Sequence, residues 1–116
     1  MGEGPKRTRL LMANEPRAYR EVIAEAVRDL RPDVEIMTVE PVEIDDSIAG
    51  FRPDMVICSV ATETVKKSVL VWVELYPEFS QQSVISVKGE TSQVEEIQLA
   101  DLLAVVDRAR QLLERS

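Results

Sequence analysis

The sequence contains no histidine and a single cysteine, Cys58, among its 116 residues. Without histidine the chain cannot build a Ser-His-Asp triad, a histidine metal site or a phosphohistidine. One cysteine excludes an internal disulfide and predicts a reducing, cytoplasmic setting. The chain also has only four glycines. Neither glycine-rich phosphate-binding pattern, G-x-x-x-x-G-K-[ST] or G-x-G-x-x-G, is present.

Basic residues are outnumbered, since 14 Lys and Arg face 21 Asp and Glu, which gives a net charge of −7. An acidic chain binds nucleic-acid phosphates and anionic membranes poorly, and basic residues do not alternate with aromatic ones. No apolar run is long enough to predict a membrane span or a secretory signal. We therefore expect a cytoplasmic protein with neither a nucleic-acid nor a membrane partner.

The length and the 45% apolar content fit one domain with a modest core. Residues 1–9 are rich in Gly, Pro and basic side chains and predict a flexible tail, whereas residues 10–116 predict a single domain. Short apolar runs alternate with helical patterns, which predicts an α/β fold. The predicted strands are 10–13, 34–39, 55–58, 69–76 and 83–87, and the predicted helices are 16–30, 45–49 and 97–113.

The lengths of the connections predict the strand directions. Strands that alternate with helices form parallel sheets with right-handed crossovers. Residues 59–68, between the third and fourth strands, leave room for about one helical turn, and a crossover usually needs a dozen residues. Residues 77–82 fit a hairpin loop better, so the fifth strand should run antiparallel to the fourth. We expect a five-stranded, mostly parallel sheet with a shortened second half and a C-terminal helix.

One face of this sheet lacks an obvious cover. The first and last helices should pack on one face, which leaves only the short helix near residue 45 for the other. An uncovered apolar face is typical of an association surface, and a homodimer is its simplest form. Leu70, Trp72 and Tyr76 are the candidate interface residues. The alternative is that irregular loops fold over this face.

Ligands of parallel α/β sheets bind beyond the carboxyl ends of the strands. This placement gives a small polar set of candidate crevice residues: Asn14, Glu15, Ser59, Thr62 and Glu63. Lys88 would join the set only if the fifth strand were parallel. The set contains carboxylates but no obvious pair of nucleophile and base.

Other reactive side chains have simpler structural explanations. Cys58 ends a buried strand and is better explained as a small buried hydrophobe than as a thiol activated by Lys66 or Lys67. The Asp45-Asp46 pair is better explained as a helix cap than as a cation site. Trp72 is better explained by packing than by stacking on a ligand. We therefore expect no metal and no cofactor.

Two segments resemble the receiver domain of bacterial response regulators, a flavodoxin-like domain that is phosphorylated on an aspartate beside Mg²⁺. Residues 10–16 read L-L-M-A-N-E-P, where the family pattern is L-I-V-D-D-E-P. Residues 53–59 read P-D-M-V-I-C-S, where the family pattern is P-D-L-V-L-L-D. The resemblance covers residues 8–59 and, loosely, the last helix. Residues 60–90 depart from it, because the sequence predicts that the third and fourth family helices are deleted.

The departures from the receiver pattern fall on its reactive positions. The acidic pair that would hold Mg²⁺ corresponds to Ala13 and Asn14, and the phosphorylated aspartate corresponds to Ser59. Lys88 corresponds to the family lysine, and the switch threonine has no counterpart near residues 73–74. Without carboxylate ligands and a carboxylate acceptor, the ordinary phosphoryl transfer should fail.

The resemblance therefore implies a non-catalytic, degenerate receiver-like module that acts through protein–protein contacts in signalling or regulation. Two alternatives remain open. The first is a sensor that binds a small ligand or nucleotide in the crevice, where amides at the start of the first helix can hold an anion. The second is an enzyme that uses Cys58, Glu15 or Glu63.

Overall fold

The computed structural model of the protein describes residues 7–76 and 82–114. Within these residues the chain forms six strands and four α-helices, which confirms the predicted α/β class. The strands are β1 (Arg9–Ala13), β2 (Glu35–Thr38), β3 (Met55–Cys58), β4 (Val71–Glu74), β5 (Gln82–Val87) and β6 (Glu90–Glu95). The helices are α1 (Arg17–Leu30), α2 (Ile44–Phe51), α3 (Glu63–Ser68) and α4 (Leu99–Glu114).

The six described strands form one mixed sheet in the order β2-β1-β3-β4-β5-β6. The first four strands in this order are parallel to one another. β5 runs antiparallel to β4, as the short connection predicted, with Trp72 opposite Ser86. β6 then runs antiparallel to β5. The prediction of five mostly parallel strands is therefore wrong, because a sixth strand extends the antiparallel part.

The overlooked strand, β6, lies at the edge of the sheet. Its six residues are exposed except for the partly buried Val94, so it lacks the apolar pattern that predicts a strand. It is joined to β5 by Lys88 and Gly89, whose φ angles are 52° and 85°. Two consecutive positive φ values suit a tight hairpin turn. An edge strand has a single neighbour and tolerates polar side chains, which is why the sequence does not reveal it.

The first face of the sheet is covered by α1 and α4, as predicted. On α1, the buried residues Ile23, Ala24 and Val27 recur at helical spacing, and Leu102 and Val106 do so on α4. These helices pack on alternate residues of the parallel strands, as the period-two geometry of a strand requires. The strand residues of this cluster are Leu10, Met12, Met55, Ile57, Val71 and Val73.

The second face, which the sequence predicted to be uncovered, is covered by α2 and α3. Ile44 and Ile48 of α2 and the fully buried Val65 of α3 belong to its apolar cluster. Trp72 is only 7% exposed within the same cluster. The strand residues that join it are Leu11, Ala13, Val56 and Cys58. The prediction of an open apolar face is therefore wrong over β1, β3 and β4.

Local signals explain why both helices of this face form. The side-chain oxygen of Thr62 accepts a hydrogen bond from the Val65 amide at 3.2 Å, which caps α3. Six helical residues then fit the short gap between β3 and β4. α2 begins at Ile44 and runs past Gly50, where the sequence predicted a stop, to Phe51. The next residue, Arg52, caps the helix and has a left-handed backbone conformation with a φ of 54°.

The last two residues of the predicted tail, Thr8 and Arg9, belong to the folded domain. Thr8 is buried, and Arg9 is the first residue of β1. The Arg9 amide donates to the Asp54 carboxylate at 2.8 Å, and its guanidinium donates to the Phe51 carbonyl at 2.9 Å. Residues 1–6 of that tail, and residues 77–81 of the hairpin connection, lie outside the described residues.

Candidate functional site

The carboxyl edge, by which we mean the residues that follow the carboxyl ends of β1 to β4, contains most of the predicted crevice set. Asn14 and Glu15 follow β1, and Ser59 and Thr62 follow β3. The hydroxyl oxygen of Ser59 accepts a hydrogen bond from the Glu15 amide at 2.8 Å. This bond joins the loop that follows β1 to the loop that follows β3. The two loops therefore lie side by side, as the strand topology predicted.

Asn14 is fully buried, and neither atom of its side-chain amide has a hydrogen-bond partner among the described residues. An enclosed amide without partners is costly, because burial removes its bonds to water. Both atoms are shut off from the surface in this conformation. Within the carboxyl edge, the Asn14 side chain is therefore covered, whereas that of the neighbouring Glu15 is exposed.

Arg20 is a buried cation that lies outside the crevice set predicted from the sequence. It is 3% exposed, and its guanidinium contacts the Glu40 carboxylate at 2.5 Å and the Asn14 carbonyl at 3.4 Å. Its Nε has no partner within the described chain. A signal was available, since Arg20, Ala24 and Val27 recur at helical spacing and place the arginine beside the buried stripe of α1.

Two further contacts close the same edge. The Thr62 hydroxyl, besides capping α3, donates to the Asp45 carboxylate at 2.7 Å and so joins the start of α3 to α2. The Ala61 amide donates to the Glu74 carboxylate at 2.7 Å. Glu63 lies exposed in the first turn of α3. Ser59, Thr62 and Glu74 thus each bond to a neighbouring segment of the chain, whereas the enclosed Asn14 amide bonds to no described residue.

Exposed carboxylates give the outer surface of the carboxyl edge a negative charge. Two exposed apolar side chains lie in the same loops, namely Val42, 89% exposed, and Val60, 61% exposed. The bond between Thr62 and Asp45 holds these two loops together. The exposed acidic residues of this surface are Glu15, Glu40, Glu43, Asp45, Asp46 and Glu63.

Lys88 is placed away from the carboxyl edge. Because β5 is antiparallel to β4, the end of β5 lies at the opposite end of the sheet. Lys88 occupies the tight turn between β5 and β6 and is exposed. The condition for including Lys88 in the crevice, a parallel fifth strand, is therefore not met.

Cys58 is enclosed in the apolar cluster of the second face. Burial raises the pKa of its thiol to about 12, and the nearby Glu74 carboxylate acts in the same direction. Its Sγ donates to the Val73 carbonyl at 3.6 Å. A thiol with such a pKa is protonated at neutral pH, and the protonated form is a poor nucleophile.

The three candidate interface residues differ in exposure. Leu70, which precedes β4, is 61% exposed, whereas Trp72 is 7% exposed. Tyr76 is partly buried, and its hydroxyl donates to the Ile97 carbonyl at 3.3 Å. Leu70 is thus the most exposed of the three, and Trp72 contributes to the interior of the second face.

In the described ranges, no group of three or more Cys, Asp and Glu side chains is arranged to hold a metal ion. A search of the helices in those ranges finds none long and apolar enough to cross a membrane. The chain matches no protein-family model and no curated protein.

Proposed function

We propose that this chain is a non-catalytic regulatory module with receiver-like topology that acts through protein–protein contacts at its carboxyl edge. The order of its first four strands supports the resemblance, because flavodoxin-like sheets begin with the order 2-1-3-4. The distribution of helices on both faces agrees with that arrangement. The antiparallel β5 and β6 depart from it and mark where the likeness ends.

The observation that carries the proposal is the state of the three positions where receivers do their chemistry. Ala13 is buried in the apolar cluster of the second face, and its side chain has no oxygen that could bind Mg²⁺. Asn14 is enclosed, and the Ser59 oxygen already accepts a hydrogen bond from Glu15. Mg²⁺ prefers carboxylate oxygens, and phosphoryl transfer depends on the metal and on positioned charge. This edge therefore supports contact better than phosphorylation.

The carboxyl edge has the composition of a contact surface. Val42 and Val60 supply exposed apolar area, and the surrounding carboxylates form a charged rim. Apolar centres with polar rims are usual in protein interfaces. Complementary charge steers partners together, so we propose a partner with a basic rim. A second copy would bring like charges together at this edge, which disfavours a homodimer formed there.

The homodimer expected from the sequence depended on an open sheet face. That face is occupied by α2 and α3 over β1, β3 and β4, so dimerisation through it would have to use Leu70 and the polar outer strands. We therefore propose a partner of a different kind. Sedimentation equilibrium at high concentration should show a monomer. A stable dimer would contradict the proposal, and its loss or survival in Val60→Asp would show whether it forms through the carboxyl edge.

The contact surface can be tested by photo-crosslinking in cells. A photoreactive amino acid at position 42 or 60 should give the same discrete adduct from both positions. Val22, which is 64% exposed on α1, is the matched control and should not give that adduct. Mass spectrometry of the adduct identifies the partner, and Val60→Ser should then weaken its binding to the purified chain. Equal labelling from position 22 would overturn the assignment of the surface.

The second candidate function is a small-ligand sensor that uses the crevice. The enclosed Asn14 amide and the unpartnered Nε of Arg20 favour it, because a ligand could satisfy both. Such a ligand requires the Glu15 loop to open. An amide-resolved NMR titration with Mg²⁺ and a phosphoryl mimic, followed by nucleotides, distinguishes the two functions. Localised shifts at Asn14, Glu15 and Ser59 would favour the sensor, and their absence would favour the contact module.

A further inference from the structure

A groove of about 320 Å³ lies on the second face of the sheet, between the last turn of α3, the start of β4 and the turn that joins β5 to β6. We call it the hairpin groove. Its position at the far end of the sheet separates it from the carboxyl edge. The side chains that matter for its chemistry are those of Lys66, Lys67, Leu70, Trp72, Ser86 and Thr91.

The hairpin groove differs in charge from the rest of the molecule. The chain carries 21 Asp and Glu residues, yet none of the residues that line the groove is acidic. Lys66 and Lys67 are exposed in the last turn of α3, and neither forms an ion pair with a described residue. The groove is therefore a positively charged site on an acidic protein.

Two hydrogen-bond donors in the groove have no partner. The Trp72 side chain is 7% exposed and the Ser86 side chain 2%, but neither the indole N–H nor the hydroxyl bonds to any described group. Trp72 and Ser86 are paired across β4 and β5, so their side chains are neighbours on one face. Unlike the enclosed atoms of Asn14 and Arg20, both donor atoms reach the accessible surface.

Ordinary structural roles explain part of this arrangement. Lysines in the last turn of a helix stabilise its carboxyl end, and Val69 and Trp72 belong to the apolar cluster. These roles do not explain why two side chains that are more than nine-tenths buried carry donors without a described protein partner, because polar groups of buried side chains usually have one. A ligand that accepts hydrogen bonds would satisfy them, and its negative charge would be met by the two lysines.

We propose that the hairpin groove binds a small organic anion. Its oxyanion accepts hydrogen bonds from the Ser86 hydroxyl and the Trp72 indole N–H and lies near the ammonium groups of Lys66 and Lys67. Its apolar part packs on Leu70, which is 61% exposed beside the groove. A carboxylate and a phosphate ester share this chemistry. The site is independent of the protein contacts proposed for the carboxyl edge.

The single tryptophan of the chain makes this proposal directly measurable. The indole N–H of Trp72 gives one isolated peak in the ¹H–¹⁵N spectrum of the full-length protein. The probes are hexanoate and butyl phosphate, each titrated at constant ionic strength, with hexanol as the uncharged control. We expect a saturable downfield shift of the indole proton with at least one anion and no such shift with hexanol. Whichever anion binds identifies the class of oxyanion.

Matched variants separate a specific site from general attraction to positive charge. The double variant Lys66→Gln/Lys67→Gln should raise the Kd of the anion about tenfold, because it removes both positive charges of the groove. Lys88→Gln/Arg108→Gln removes two exposed charges that line a different groove, and it should bind as the wild type does. Ser86→Ala should also weaken binding without loss of the fold, because its hydroxyl bonds to no described residue.

Three results would overturn the proposal. The first is the absence of an indole shift with both anions. The second is an equal shift with hexanol, which would mean apolar contact alone. The third is an equal loss of affinity in the two double variants, which would mean nonspecific charge attraction. None of these results bears on the partner of the carboxyl edge, so the two proposals stand or fall separately.

Discussion

The two ends of the sheet differ in the hydrogen bonds of their polar side chains and in their surface charge. At the carboxyl edge, hydrogen bonds between the loops engage Ser59, Thr62 and Glu74, and the outer surface is acidic. In the hairpin groove, Trp72 and Ser86 have donors without partners beside two lysines, and no acid lines the site. At the end of the sheet where this fold class usually binds ligands, the loops are thus tied to one another and the atoms of Asn14 and Arg20 that lack a described partner are enclosed beneath them, whereas the unpartnered donors of the hairpin groove reach the surface.

The largest predicted effect concerns the thiol beneath the carboxyl edge. Because burial raises the pKa of Cys58 to about 12, its thiolate fraction at pH 8 is lower than that of an ordinary thiol by roughly a thousandfold. Alkylation by iodoacetamide should therefore be slow in native buffer and fast in urea, as followed by intact mass. Rapid native labelling would mean that the carboxyl edge opens, and it would return Cys58 to the list of candidate nucleophiles.

The next effect tests whether Arg20 holds the carboxyl edge together. Arg20→Ala should lower the free energy of unfolding by about 2 kcal/mol, because it removes a buried side chain with its hydrogen bonds and leaves a gap beside α1. The Glu40 carboxylate that remains is 53% exposed, so water can solvate it. Arg17→Ala is the control. Arg17 pairs with Glu21 on the exposed side of α1, and its removal should cost less than about 0.5 kcal/mol.

Urea denaturation gives the free energy of unfolding of Arg20→Ala and of its control Arg17→Ala. Arg20→Met adds a third point, since it keeps most of the buried stem and removes the charge. A loss in Arg20→Met close to that in Arg20→Ala would assign the effect to the bonds with Glu40 and the Asn14 carbonyl. Equal losses in Arg17→Ala and Arg20→Ala would contradict the view that the edge is tied by a buried cation.

A Ser→Ala substitution can be made at each end of the sheet, and the two losses of stability can be compared directly. Ser59→Ala removes an acceptor that the Glu15 amide uses at 2.8 Å, so it should cost about 1 kcal/mol. Ser86→Ala removes a hydroxyl that bonds to no described residue, so it should change stability by less than about 0.5 kcal/mol or increase it slightly. Thermal and urea unfolding measure both. A larger cost at Ser86 would mean that its hydroxyl has a structural role.

The sequence predicted the first half of the fold well because its signals are local. β1 and β3 are short, continuous apolar runs, and the buried stripe of α1 recurs at helical spacing. The direction of β5 followed from the length of one connection. β6 and α3 were missed for a different reason. β6 is a polar edge strand, and α3 has Val65 as its buried residue, so neither carries a periodic signal.

The candidate sites were less predictable than the fold because they depend on contacts between distant segments. The crevice residues were found by their position after apolar strands, but the burial of Asn14 and the bond between Arg20 and Glu40 depend on packing. The hairpin groove combines residues 66–72 with Ser86 and Thr91. Only the register of β4 with β5, and of β5 with β6, brings these together, and the sequence did not reveal β6.

A second ion pair, where the end of α1 meets α4, can be compared with the pair of Arg20 and Glu40, because its cation Arg31 is 28% exposed whereas Arg20 is 3% exposed. The Arg31 guanidinium makes two hydrogen bonds to the Asp107 carboxylate, at 2.8 and 2.9 Å. Hydrogen bonding to Arg31 is the main reason why the pKa of Asp107 lies below its usual value. The Asp107 side chain is 37% exposed, so solvent screening weakens the pair.

The lowered pKa of Asp107 sets the sign of its pH dependence. A carboxyl group with a lower pKa in the folded state stabilises the protein above its unfolded pKa, which is about 3.9. That contribution is lost as the pH falls through the folded pKa. Asp107→Asn should therefore destabilise the protein at pH 7 by less than Ser59→Ala does, and the difference from wild type should shrink below pH 4. A difference that stays constant between pH 7 and pH 3 would mean that Asp107 acts through packing rather than through its charge.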